Sequence, residues 1–297
     1  MPLHTSSQSL LVTPVELAAQ LDDPNLLLVD CRFNLLKPAA GRASWAAGHI
    51  PGAYYADLDQ DLADPVGPDS GRHPLPAPER LRRLFGSWGL NAASRVVAYD
   101  DAGGAIAARL WWLLRWSGHT GASLLDGGYG AWLAANLPVS QEQPAPRSGR
   151  DPVTTGHWPV ISTAQVEAGL RTRRLTLFDA RDPARYAGAK EPIDSQAGHI
   201  PGALNWPFSD NLDSSGVFRS PADLRAAFRA RLKETKGTAA GGLAVMCGSG
   251  VTACHTLFAM ELAGLFADLN EKPALYCGSW SEWIRSDQRP IATGAEP

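Results

Sequence analysis

In the stretch AVMCGSGVTACHTLF, residues 244–258, Cys247 follows directly on an apolar run and precedes Gly248, Ser249 and Gly250. The residues after the glycines have the pattern of a helix, which places the cysteine at a strand–helix seam. A thiol at such a seam is either core packing or a nucleophile. The two glycines let the backbone curl and aim successive N–H groups at whatever the sulfur holds. With the helix N-terminus that begins around Val251 and Thr252, those donors form an anion cradle and favour the thiolate. One use of such a bowl is phosphate-ester hydrolysis, which calls for a cation at the far end of the loop. Position 253 is Ala, and no Arg or Lys occurs in 247–258, so a dianionic phosphate would lack its partner. The other use is sulfur transfer, in which Cys247 takes up a sulfane sulfur as a persulfide.

The elements that must position this loop occur twice. AGHIPGA stands at 47–53 and again, letter for letter, at 197–203. Around it LLLVDCR (26–32) corresponds to LTLFDAR (175–181), RVVAYDD (95–101) to GLAVMCG (242–248), and LLDGGYGAW (124–132) to LYCGSWSEW (275–283). This is a duplicated domain. Short apolar strands alternate with helical segments: in the second half, strand 175–178, helix 221–233, strand 243–246, a helix over about 251–263, strand 273–276 and a short helix from Ser279. The alternation predicts an α/β fold in which each unit is a mostly parallel sheet with helices on both faces. Ligands of such sheets bind beyond the carboxyl ends of the strands, where Cys247 stands. Its equivalent in the first half is Asp100, which predicts a site open to solvent or to polar groups rather than a core position. The predicted boundaries are a first domain at 10–137, a Pro-, Ser-, Gly- and Gln-rich linker at 138–159, and a second domain at 160–290.

Bulk properties narrow the function further. The chain has 297 residues, 44% of them hydrophobic, and a formal net charge of −3. That balance argues against a nucleic-acid or membrane-surface partner. No apolar run approaches a membrane span, and the N-terminus has no signal-peptide pattern. The four cysteines, at 31, 247, 254 and 277, are too sparse for a disulfide framework and form no zinc motif, so a reducing cytoplasm is expected.

CGSGVTACH, the duplicated AGHIPGA, and DGGYGAW with CGSWSEW together resemble the two-domain rhodanese superfamily, and within it the 3-mercaptopyruvate sulfurtransferases. The resemblance runs from about residue 10 to residue 287. It implies a catalytically silent first domain, with Asp100 in place of a cysteine, and a site between the domains. Arg185, in DARDPARYAGAKEP, matches the family arginine that binds the donor's anionic group. Many mercaptopyruvate enzymes have a second arginine after the EP of this loop; here that place holds Ile193, followed by Asp194. The family also couples the loop serine to a histidine and an aspartate of the first domain, which implies Ser249, His73 and Asp59. His49 and His199, present in both halves, are expected to hold turns, and His255 to pack behind the loop. Cys254 is expected to be a buried small residue. Cys277, at another strand end, is near the site without an assigned role.

The resulting expectation is a sulfurtransferase that needs no metal or organic cofactor. Cys247 attacks the sulfur of a small anionic donor, 3-mercaptopyruvate, whose carboxylate Arg185 anchors while Gly248, Gly250, Val251 and Thr252 line the bowl. Pyruvate leaves as an enolate protonated with the help of Ser249, His73 and Asp59. The persulfide then passes its sulfur to cyanide, a small thiol or a thioredoxin-like protein. An uncharged loop, with no cation beside the sulfur, predicts less benefit for dianionic thiosulfate. Thiosulfate:cyanide transfer and a non-catalytic persulfide carrier or sensor are the competing readings.

Overall fold

The structure, a computed structural model, describes residues 9–149, 153–234, 242–269 and 271–297. In the first unit β1 (Leu11–Val12), α1 (Pro14–Ala18), β2 (Leu26–Asp30), α2 (Ala39–Ala47) and β3 (Tyr54–Tyr55) are followed by α3 (Pro78–Ser87), β4 (Arg95–Tyr99), α4 (Ala107–Trp116), β5 (Ala122–Leu125) and α5 (Gly128–Ala134). The second unit has α6 (Thr163–Arg171), β6 (Leu175–Asp179), α7 (Pro183–Tyr186), β7 (Ala203–Asn205) and α8 (Pro221–Glu234). It ends with β8 (Gly242–Met246), α9 (Thr252–Leu262), β9 (Ala274–Leu275) and α10 (Ser279–Trp283). The strands pair in the orders β1-β5-β4-β2-β3 and β7-β6-β8-β9, and every pairing is parallel. Both central strands, β2 and β6, are buried along their whole length, as expected of strands covered on both faces.

The repeated motifs have a shared physical basis. Asp30 and Asp179 end β2 and β6 fully buried, and each takes the guanidinium of the arginine two residues on, Arg32 and Arg181, at 2.6 Å. The same guanidinium nitrogen donates to the carbonyl of Gly48 or Gly198 in AGHIPGA, at 2.7 and 2.8 Å. A buried, paired and hydrogen-bonded charge thus ties each central strand to the following turn. Nδ1 of His49 and of His199 lies 2.8 and 2.9 Å from the carbonyls of Trp45 and Tyr186, so both histidines brace turns.

The two units share one core. Trp111 and Trp112 of α4 are fully buried, and Trp111 meets Phe258 of α9 edge to face with ring centres 4.9 Å apart. Arg115 of α4 pairs with Glu261 of α9. Several described residues of the connection contact the first unit. Ser140 forms an antiparallel bridge with His49, Tyr54 Oη donates to the carbonyl of Ala145 at 2.8 Å, and Trp158 is buried against Trp111.

Candidate active site

Cys247 is the first residue after β8 and is 2% exposed. Its N–H donates to Ser279 Oγ at 3.1 Å, and its carbonyl accepts from Trp280 N–H at 3.1 Å. The carbonyl of Gly248 accepts from Ser281 N–H at 2.9 Å, so the start of α10 clamps the loop. Gly250 N–H points at Cys247 Sγ, 3.1 Å away, and can stabilise negative charge on the sulfur. Gly250 has φ +78°, and a Cβ there would lie 2.6 Å from the carbonyl oxygen of Cys277; only glycine fits on both counts. Gly248 serves differently. It has no positive φ, and a Cβ there would meet Arg72 Nη2 at 3.1 Å and both Nη atoms of Arg185 at 3.5 Å. Val251 caps α9 and is buried, and Thr252 begins that helix half-buried.

Ser249, His73 and Asp59 form a chain of hydrogen bonds across the two units. His73 Nδ1 lies 2.7 Å from Ser249 Oγ, and His73 Nε2 lies 3.0 Å from Asp59 Oδ1. An ionised Asp59 only accepts, so Nε2 carries the proton and Nδ1 accepts the Ser249 hydroxyl hydrogen. Burial, with the charges of Arg109 and Arg72, pushes the His73 imidazole down to about 3, so it is neutral at physiological pH. Burial raises Asp59, whose side chain is the exposed end of the chain. Beside it opens a cleft of about 540 Å³ lined by Asp59, Arg72, His73, Pro192 and Ile193, with Leu35, Leu36 and Val66 at its rim.

Arg185 sits on the short helix α7. Its Nε lies 3.1 and 3.0 Å from the two Glu191 oxygens, and its Nη2 donates to Asp194 at 2.9 Å. The expectation of no cation beside the sulfur is overturned. Arg72 of the first unit pairs with Asp194 and flanks Gly248 together with Arg185. Its N–H donates to Ser281 Oγ at 3.0 Å. Scanning residues 247–258 for positive charge misses it because folding supplies the charge from 175 positions earlier; its one sequence signal is adjacency to His73 in SGRHP. Arg109 was equally invisible. One of two arginines in the otherwise apolar AIAARLWWLLRW, it is fully buried, with donors to the carbonyls of Gly250 (3.3 Å), His73 (3.1 Å), Pro74 (3.4 Å) and Leu62 (3.3 Å).

The first-unit counterpart of the loop departs from expectation. Asp100 is not open to solvent: it is 0% exposed, and its carboxylate accepts N–H groups of Ala102, Gly104, Ile106 and Ala107 at 2.8–2.9 Å. The polar groups around it are its own loop's donors, so this cradle already holds an anion. The remaining cysteines are packed as thiols. Cys254 donates to the Gly250 carbonyl at 3.3 Å, and burial pushes it up to about 12. Cys277 donates to the His73 carbonyl at 3.4 Å, and burial raises it against the pull of Arg109. Cys31 is raised by burial as well. His255 is buried, 3.0 Å from the Gly103 carbonyl, and stacks on Phe218. Among the described residues no group of three or more His, Cys, Asp or Glu side chains is arranged to hold a metal. None of their helices is long and apolar enough to cross a membrane.

Comparison with known proteins agrees with this architecture. A probable 3-mercaptopyruvate sulfurtransferase of Pseudomonas aeruginosa is 47% identical over 290 residues, 97% of this chain and 99% of that protein. A putative thiosulfate sulfurtransferase of Mycobacterium tuberculosis is 36% identical over 292 residues, covering 96% of this chain and 97% of that one. Among solved structures, 3-mercaptopyruvate sulfurtransferase from Leishmania major superposes with a TM-score of 0.80 at 30% identity, over 98% of this chain and 78% of that chain. The model of the rhodanese-like domain matches twice, at residues 13–135 and 162–286, and the chain belongs to the rhodanese family as a tandem of two such domains.

Proposed function

We propose that the protein is a sulfurtransferase that moves a sulfane sulfur from 3-mercaptopyruvate, through a persulfide on Cys247, to a thiol or cyanide acceptor. One observation carries the reading: Cys247 lies at a strand end with Gly250 N–H on its sulfur, beside a Ser249–His73–Asp59 chain. The Cys247 thiolate attacks the donor sulfur, and the donor C–S bond breaks with its electron pair left on the enolate carbon of pyruvate. Neutral His73, reached through Ser249, accepts the donor S–H proton, and the same path returns it to the enolate carbon. The products are pyruvate and a persulfide anion facing Gly250 N–H. The acceptor then attacks the outer sulfur and regenerates the thiolate; cyanide, a small thiol and a thioredoxin-like protein all have the required nucleophile.

Two things favour mercaptopyruvate over thiosulfate. The relative at 47% identity bears the mercaptopyruvate name. Arg72 and Arg185 are also offset by Glu191 and Asp194, so the charged group beside the loop is balanced and suits a monocarboxylate better than a dianion. The first domain, residues 10–137, is the silent one, because Asp100 fills its cradle with a fixed anion; residues 138–159 connect it to the catalytic domain at 160–290. Four free, buried thiols fit a reducing cytoplasm. The test is kcat/KM for mercaptopyruvate against thiosulfate on one preparation. A preference of at least about tenfold for mercaptopyruvate, roughly 1.4 kcal/mol of transition-state discrimination, is expected. Equal or better use of thiosulfate makes the protein a thiosulfate sulfurtransferase, and no turnover of either donor makes it a persulfide carrier.

A further inference from the structure

Cys277 stands beside Cys247 by the register of the sheet. Strands β8 and β9 pair with Val245 opposite Leu275, and Tyr276 N–H extends the ladder to the Val245 carbonyl at 2.9 Å. Carried two residues past that pair, the register sets Cys247 against Cys277. Residues two apart on a strand share a face. Val245, Leu275, Cys247 and Cys277 accordingly all join the core shared by the two units, whereas Met246 and Tyr276 belong to the core on the opposite face. Neighbouring strands run about 4.8 Å apart, within the roughly 4.4–6.8 Å between Cα atoms that a disulfide spans. The first unit has the equivalent register, Ala98 opposite Leu124, which sets Asp100 against Asp126. Where the first unit has a pair of aspartates, the second has a pair of cysteines. Gly250, whose N–H points at Cys247 Sγ, lies directly on the second of them: a Cβ on this glycine would be 3.0 Å from Cys277 Cα. Arg109 Nη1 stands 3.7 Å from Cys277 Sγ and 3.3 Å from the Gly250 carbonyl oxygen, so a fixed positive charge faces that sulfur. Burial raises the Cys277 thiol against the pull of Arg109, and a negative Cys247 raises it further, so Cys277 rests protonated.

We propose that Cys277 is a resolving thiol for the Cys247 persulfide: when no external acceptor arrives, it closes a disulfide with Cys247 and the transferred sulfur leaves as sulfide. This rests on the sulfur-transfer reading above. The Cys277 sulfur attacks the inner sulfur, Cys247 Sγ, and the bond from Sγ to the outer sulfur breaks with its electron pair on the outer sulfur. The proton of the Cys277 thiol passes to that leaving sulfur, which departs as hydrosulfide. The sulfane sulfur is thereby reduced, and the two cysteine sulfurs are oxidised to the disulfide, with no other oxidant. An external dithiol then reduces the disulfide and returns both cysteines. Arg109 stabilises the Cys277 thiolate as its proton leaves. Because the resting thiol is protonated, resolution is slower than transfer to an acceptor, and the persulfide exists first. Cys254 is placed for packing instead, fully buried within α9 with its S–H on the Gly250 carbonyl.

The experiment loads the full-length protein briefly with mercaptopyruvate, removes the excess, and follows it without acceptor and with oxygen excluded. Sulfide release and peptide masses are read over time in the parent, in Cys277→Ser and in Cys254→Ser. The parent should first have one added sulfur on the Cys247 peptide. That mass should then decay as sulfide appears in equal amount and the Cys247 and Cys277 peptides become linked with the loss of two hydrogens. Cys277→Ser should hold its persulfide at least about tenfold longer and form no linked peptide, because a hydroxyl does not exchange with a disulfide sulfur. Cys254→Ser should behave as the parent. Cys277→Ala gives the same readout should the serine variant fail to fold. Absence of the linked peptide in the parent overturns the proposal whatever the variants do, and so does equal persulfide decay in the parent and Cys277→Ser, or a link to Cys254. Absence of added sulfur on Cys247 at the first time point removes the sulfur-transfer reading itself and the proposal with it; a persulfide that forms and never resolves through Cys277 removes only the proposal.

Discussion

Arg109, wholly buried on α4 of the first domain, donates to the carbonyl of Gly250 in the Cys247 loop of the second, at 3.3 Å. The same guanidinium reaches the carbonyl of His73 at 3.1 Å, so one side chain sets the register between the loop and the histidine chain. No carboxylate is bonded to it among the described residues; backbone carbonyls and the thiol of Cys277 surround it. Removing it strands buried acceptors on both sides of the site.

Arg109→Met should therefore lower the unfolding free energy by about 2–4 kcal/mol, since each orphaned buried acceptor costs roughly 1–3 kcal/mol, partly offset by removal of a buried charge. Arg109→Lys should recover less than half, because one ammonium cannot reach Leu62, Gly250 and His73 together. Urea midpoints measure both. Midpoints that match the parent would mean the carbonyls find other donors.

Cys247→Ser should abolish transfer, whereas Cys254→Ser, which keeps a donor for the Gly250 carbonyl, should retain most activity. Mass spectrometry after exposure to donor without acceptor should find one added sulfur on the peptide containing Cys247. Sulfur on Cys31 or Cys277 instead would place the chemistry elsewhere.

His73 is pushed down to about 3, so it should remain neutral throughout pH 5–9 and give no titration step near 6.5 in kcat/KM. Long-range nitrogen–proton spectra of the imidazole should show the Nε2–H tautomer, as its contact with Asp59 requires. A protonated ring at pH 6, or a proton on Nδ1, would reverse the roles assigned to Ser249 and Asp59.

His255 is driven down from 6.5 to about 4, chiefly by burial. As pH falls through 6.5 the unfolded chain takes up this proton and the native state does not, until about 4. Stability is thus fully present above 6.5 and is lost between 6.5 and 4. Over pH 6–4.5 the unfolding free energy of His255→Gln should fall less steeply than that of the parent, by about 1.4 kcal/mol per pH unit. Parallel slopes in denaturant titrations would show that His255 titrates alike in both states.

Cys247, the strands, the helix starts and the duplication were legible in the sequence because each is a local signal. Apolar runs such as 175–179 bury as interior parallel strands whatever lies far away, and Gly250, three residues after the cysteine, marks a backbone conformation that side chains disfavour. The family resemblance extended this to His73, Asp59 and Arg185. Which charges face the sulfur depended on tertiary structure. Arg72 reaches Gly248 because Gly71 lies against Gly278, and Arg109 reaches Gly250 because α4 packs on α9, and both are contacts between segments more than 140 residues apart. Asp100 shows the same limit from the other side. Its type marked a polar position, but only the curled loop, with four N–H groups turned inward, decided that the position is sealed. Side-chain type is written in the chain, whereas desolvation and the direction of a donor arise when distant backbone is brought within hydrogen-bond range.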